Sequence, residues 1–156
     1  MLNSKELALK IASVLSNKRG EDITILRVDH LTSITDYFVI AHANNTIQVK
    51  ALAEEVEEKL LEGDGIEARR REGYGPARWI VLDYSSVIVH IFHAAERQYY
   101  NIERLWMDGS NQVPFARAHE DEEAHDGDAA LQTGESEEDA SMAVSGDTYG
   151  SEQDAE

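Results

Sequence analysis

The sequence predicts an α/β protein, a mixed five-stranded sheet flanked by helices in the order α-β-β-α-β-β-β-α. Three observations lead there. Helical and strand periodicities alternate over the first 112 residues. One strand, around Tyr37-Phe38-Val39-Ile40-Ala41, is apolar on both faces, as a central strand must be. Helical stripes sit where they can cover such a sheet.

The first helix is predicted from about Lys5 to Lys18. Asn3 can cap it and Glu6 can reach back, a capping box. Leu7, Ile11, Val14 and Leu15 make its apolar stripe. Lys18 and Arg19 suit the negative end, and Gly20 suits a left-handed closing residue. Ile23 to Val28 is a β-branched first strand, and Asp36 to Ala43 the second. Asn45 and Gln48 are the expected capping pair of a second helix, whose stripe is Val49, Leu52, Ala53, Val56 and Leu60. Glu54, Glu55, Glu57 and Glu58 form its solvated face, and Gly63-Asp64-Gly65 ends it. Ile66 to Glu72 is a polar third strand, and Gly73-Tyr74-Gly75-Pro76 is a loop. Strands over 79–84 and 87–92 read as a hairpin turning at Ser85-Ser86. A last helix covers Ala95 to Met107 and stops at Asp108-Gly109.

Charge divides the chain. The net charge is −17. Residues 1–112 carry 13 basic and 17 acidic side chains, whereas residues 113–156 carry one basic, Arg117, and 14 acidic. Gly, Ser, Ala, Asp and Glu dominate the second segment. It cannot bury enough apolar area to offset its chain entropy, so 113–156 is expected to be an acidic disordered tail behind a 1–112 domain. A surface this negative disfavours phosphate-driven binding and implies little direct nucleic-acid contact. Cysteine is absent, no apolar run approaches a membrane span, and no signal peptide opens the chain. A cytoplasmic protein is expected.

No residue set announces catalysis. His90 and His93 are three apart, which on a strand points them to opposite faces. His90 reads as a partly buried structural histidine. Asp29, Asp36 and Asp83 lie beside strands, but a two-metal site needs converging carboxylates, and no strand holds acids at i and i+2. No phosphate-cradling glycine loop exists. No metal or cofactor is expected. Arg69-Arg70-Arg71 is the basic cluster, flanked by Glu67 and Glu72. It reads as a solvated or internally paired edge, with an RNA-phosphate contact as the sharper reading.

The aromatics carry more information. Both tryptophans and three of six tyrosines lie between residues 79 and 106. Such side chains dominate protein interfaces. On the last helix, Ala95, Tyr99, Ile102 and Trp106 are spaced as a core stripe, which leaves Tyr100 for exposure. On the fourth strand, Trp79, Val81 and Asp83 share one face and Ile80, Leu82 and Tyr84 the other. Trp79 and Tyr84, at the strand's ends, are expected at the rim. Asp83 can offer an acceptor to a basic partner.

These blocks resemble a known family. Asp36-Tyr37-Phe38-Val39-Ile40-Ala41, Gln48-Val49-Lys50-Ala51, Trp79-Ile80-Val81-Leu82-Asp83-Tyr84, Val87-Ile88-Val89-His90-Ile91-Phe92, Glu96-Arg97 with Tyr99-Tyr100, and Leu105-Trp106 look like the ribosomal silencing factor, or Iojap, family. The resemblance covers about residues 3–109, with the segment from 113 outside it. It implies a nucleotidyltransferase-like fold without transferase activity. It implies a partner, ribosomal protein number fourteen of the large subunit, at the face where the subunits meet. Occupying that face would block the small subunit and repress translation in nutrient shortage. It assigns the contact to Trp79, Leu82, Asp83 and Tyr84, with Arg97 and Tyr100 of the last helix. Free members are expected to dimerise. A role in large-subunit biogenesis is the alternative, and a metal-dependent nucleotidyltransferase a weaker one.

Overall fold

The computed structural model describes residues 1–116, so the expected acidic tail falls outside the described residues from 117 onward. Ten elements follow in order: α1 (Ser4–Asn17), β1 (Glu21–Arg27), β2 (Tyr37–Ala43), α2 (Thr46–Asp64), β3 (Arg70–Glu72), β4 (Trp79–Asp83), β5 (Val87–His93), α3 (Ala94–Tyr100), α4 (Ile102–Trp106) and β6 (Gln112–Val113). They form a mixed sheet in the order β3-β4-β5-β2-β1-β6. β2 and β5 pair in parallel, Tyr37 opposite Val87 through Ala43 opposite His93. The other pairings are antiparallel.

The alternation of each strand divides the core in two. Val39 and Ala41 of β2, Ile80 and Leu82 of β4, and Val89 and Ile91 of β5 pack against α1 and α2, whose buried stripes are Leu7, Ile11, Leu15 and Val49, Leu52, Val56, Leu60. On the opposite face Leu26, Val28, Phe38, Ile40 and Phe92 meet Ile102, with Trp79, Ile88 and Trp106 partly buried around them. The first face is closed by two long helices. The second is covered by two short ones.

Local chemistry explains the helix ends. Asn3 Oδ1 accepts from Glu6 N at 2.8 Å and Asn3 N donates to Glu6 Oε1 at 3.0 Å, the full capping box. Asn45 Oδ1 accepts from Gln48 N at 2.8 Å, but the Gln48 side chain does not return; its Nε2 donates to Lys18 O at 2.8 Å and ties the end of α1 to the start of α2. Gly65 closes α2 in the left-handed region, φ 67°.

Four details differ from the sequence expectation. The sheet has six strands rather than five. The sixth is two residues long, too short to show a period, and is seated by Asn111, whose Nδ2 donates to Arg27 O at 2.9 Å. β3 is three exposed residues instead of 66–72, because Ile66 N still donates to Leu60 O and the chain leaves α2 late. Arg19 rather than Gly20 takes the left-handed conformation after α1. The last helix is broken at Asn101, φ 45° and ψ 56°, into α3 and α4.

Candidate functional site

The β4–β5 hairpin positions the aromatic cluster. Trp79 lies opposite Phe92, Val81 opposite His90 and Asp83 opposite Ile88, all on the face that α1 and α2 leave open. Ser85 makes the turn at φ 70°, and its N–H donates to Asp83 Oδ1 at 2.8 Å. Asp83 also accepts from Arg69 Nη2 at 3.0 Å.

Trp79 is the hub of this face. It stacks on Phe92 with ring centroids 4.8 Å apart and meets Tyr100 at 4.9 Å. Tyr99 stands edge-on to Tyr100 at 5.0 Å. The indole Nε1–H of Trp79 donates to His90 Nδ1 at 3.2 Å. The neutral His90 ring therefore carries its proton on Nε2, which is buried with no hydrogen-bond partner. Burial pushes the imidazole down to about pKa 4, so it is neutral near neutral pH. Phe38 bridges to α4 through edge contacts with His90 at 4.8 Å and Trp106 at 5.0 Å. Around this floor, Tyr99 is 81% exposed, Tyr100 48% and Leu105 77%. The arrangement is an apolar, ring-rich surface with a fixed floor and exposed edges, suited to gripping a protein.

The structure splits the set of residues assigned to the contact. Trp79, Asp83 and Tyr100 lie on the open face. Leu82 and Tyr84 do not join them: both are buried in the core beneath α2, and the expectation of Tyr84 at the rim is corrected. Strand alternation forces this, since even positions of β4 face the helices. The Tyr84 hydroxyl has no partner, and burial pushes its pKa up. Arg97 is buried too, engaged with neighbouring elements. Tyr99, expected in the core stripe, is exposed because the break at Asn101 interrupts the helical register that would have aligned it with Ile102. Tyr99 and Leu105 are the surface residues the sequence reading missed. The left-handed tolerance of Asn at 101 was the available signal.

The acids and bases considered for chemistry are dispersed. Asp29 is held by Arg27 at 2.9 Å, which lowers its pKa. His93 Nδ1 caps α3 by accepting from Ala95 N at 3.1 Å, while His90 faces the other side of the sheet. Among the described residues no group of three His, Cys, Asp or Glu side chains is placed to hold a metal ion. Arg69 pairs with Asp83 and Arg71 with Glu57 at 2.6 Å, an internally paired edge. Among the described residues no helix is long and apolar enough to cross a membrane.

Comparison with known proteins decides the family. A family model described as "Ribosomal silencing factor during starvation" matches residues 1–143. The chain belongs to the ribosomal silencing factor family. The match extends beyond the 3–109 spanned by the sequence blocks. Ribosomal silencing factor RsfS of Bacillus subtilis is 40% identical over 107 residues, 69% of this chain and 90% of that protein. The chloroplastic protein Iojap of Arabidopsis thaliana is 30% identical over 120 residues, 72% of this chain and 47% of that one. A crystal structure from Chromobacterium violaceum superimposes with a TM-score of 0.65 at 33% identity, covering 75% of this chain and 97% of that chain. One from Bacillus halodurans gives 0.58 at 37% identity, covering 71% and 96%. Silencing-factor membership thus agrees with the α/β architecture.

Proposed function

We propose that this chain silences ribosomes as a wedge. It docks on the large subunit through ribosomal protein number fourteen, at the intersubunit face, and blocks joining of the small subunit. The action is binding, without catalysis, in the cytoplasm. The observation that carries the reading is the exposed ring-rich face built by Trp79, Tyr100, Tyr99 and Leu105, in a chain whose relatives are named silencing factors. Trp79 and Tyr100 supply the anchors, and Asp83, paired with Arg69 and the Ser85 N–H, holds the hairpin turn beside them. Leu82, Tyr84 and Arg97 support from inside. A chain free of ribosomes covers the same face by pairing with a second copy, which would shield the exposed rings from water. Nucleic acid contributes little, because two of the three clustered arginines are paired internally.

Co-sedimentation tests this. The chain is expected to travel with free large subunits and to be missing from joined particles. A buried interface aromatic contributes about 2 kcal/mol or more, so Trp79→Ala and Tyr100→Ala should each weaken binding by roughly 30-fold. Full binding by a folded Trp79→Ala/Tyr100→Ala variant would sink the assignment.

A further inference from the structure

Arg97 is 6% exposed, and all five of its N–H groups have partners. Nε and Nη2 both donate to Glu103 Oε2 on α4, at 2.9 and 2.6 Å. Nη2 also donates to Thr24 Oγ1 on β1 at 3.2 Å. Nη1 donates to the Glu21 carbonyl at 3.3 Å and to His42 Nδ1 on β2 at 3.1 Å. Arginine cannot accept, so His42 is the acceptor and holds its own proton on Nε2.

The position of this network matters more than its strength. α3 and α4 are 7 and 5 residues long and meet at the left-handed Asn101. Helices so short have little stability of their own. α4 begins without a side-chain cap. The Arg97–Glu103 bridge is the side-chain link between the two helices across that corner, and Thr24, Glu21 and His42 anchor it to the sheet. Tyr99, Tyr100 and Leu105 all project from this corner, and α4 carries Trp106 onto Phe38.

We propose that Arg97 is a positioning residue for the docking face: with Glu103 and His42 it fixes the α3–α4 corner, so that Tyr100 rests on Trp79 in the geometry a partner meets. This rests on the docking reading above. Lysine cannot replace it, because a point charge cannot serve four partners spread over three elements.

The test uses the full chain and purified large ribosomal subunits. Arg97→Lys is expected to weaken binding at least tenfold while circular dichroism stays native. The double variant Arg97→Lys/Tyr100→Ala is expected to lose clearly less than the two single losses added together, since both act on the Tyr100 contact, and full additivity would count against the positioning role. A spectroscopic readout needs no ribosome. The Trp79 indole N–H resonance, assigned from Trp79→Phe, should shift in Arg97→Lys as the Tyr100 ring leaves it. His42→Gln, which keeps an acceptor, should preserve affinity and resonance, whereas His42→Leu should lose both. If Arg97→Lys does not fold, Glu103→Gln carries the same measurements. An unmoved indole signal with affinity within twofold of wild type overturns the positioning role. Wild-type binding by Trp79→Ala and Tyr100→Ala would instead overturn the docking face, and the positioning role with it.

Discussion

Trp79 is held from behind by backbone as much as by rings. Gly73 lies at φ 91°, and a Cβ built there would stand 2.1 Å from the Trp79 carbonyl oxygen. Both facts forbid a side chain: the conformation is strained for any L-residue, and the space is filled by main chain that cannot rotate away. Gly73→Ala is therefore expected to cost more than about 2 kcal/mol and to displace Trp79. Urea denaturation would show the midpoint falling, and ribosome co-sedimentation would fall further than stability alone explains. A midpoint within error of wild type would contradict the close approach. At this scale the sequence was informative where alternation rules apply. Trp79 opposite in sense to Leu82, and His90 opposite to His93, follow from the strand period. Whether Tyr84 reached the rim did not follow, because strand period gives a side and not the depth of the helix lying over it.

Elements were legible in proportion to their length and punctuation. α1 and α2 have caps, stripes and stops, and each was read to within about two residues, the usual uncertainty of a helix end. The capping contribution can be measured. Asn3 Oδ1 and Asn45 Oδ1 each accept one otherwise unpaired helix N–H. Replacing either by Ala should destabilise by about 1 kcal/mol. Asn45→Ala should leave the Gln48–Lys18 bond in place, whereas Gln48→Ala should remove only the tie between α1 and α2. Chemical denaturation of the three variants checks this; equal stability of Asn3→Ala and wild type would deny the capping box any energetic role. The third helix was illegible as two. Its apolar spacing runs unbroken through Asn101, and no Gly or Pro marks the stop. The local cue is Asn101 itself, which tolerates the left-handed region, while the buried contacts of Arg97 with Glu21, Thr24 and His42 that accompany the break are long-range and leave no local pattern. β6 escaped for a related reason, since two residues have no period and the strand exists through pairing with β1.

At the scale of the molecule, the sheet has one face sealed by α1 and α2 and one face whose floor underlies the proposed docking surface. That floor contains His90, and this makes global stability acid-sensitive. The folded His90 titrates near pKa 4, against 6.5 for the free side chain, because burial excludes its charged form. Above pH 6.5 both folded and unfolded chains leave it neutral, and its contribution is complete. Between 6.5 and about 4 the unfolded chain binds a proton that the folded chain refuses, so stability falls as pH falls. A difference of this size corresponds to about 3 kcal/mol across that window. His42, also held below its usual range by burial and by Arg97, adds in the same direction. Asp108, lowered to about 2 chiefly by His30, acts only below its unfolded value of 3.8 and leaves the upper window untouched. With a net charge of −17, acidification also relieves repulsion among carboxylates, which opposes the histidine effect. The decisive quantity is thus a difference between two proteins. His90→Gln can still accept from Trp79 Nε1 but cannot take a proton. Urea midpoints measured at pH 7.0 and 4.5 should fall much more in the wild type than in His90→Gln, with similar m-values. Identical pH dependence in the two would mean that the imidazole beneath Trp79 is not shielded from protons, and the open face would be wetter than its packing implies.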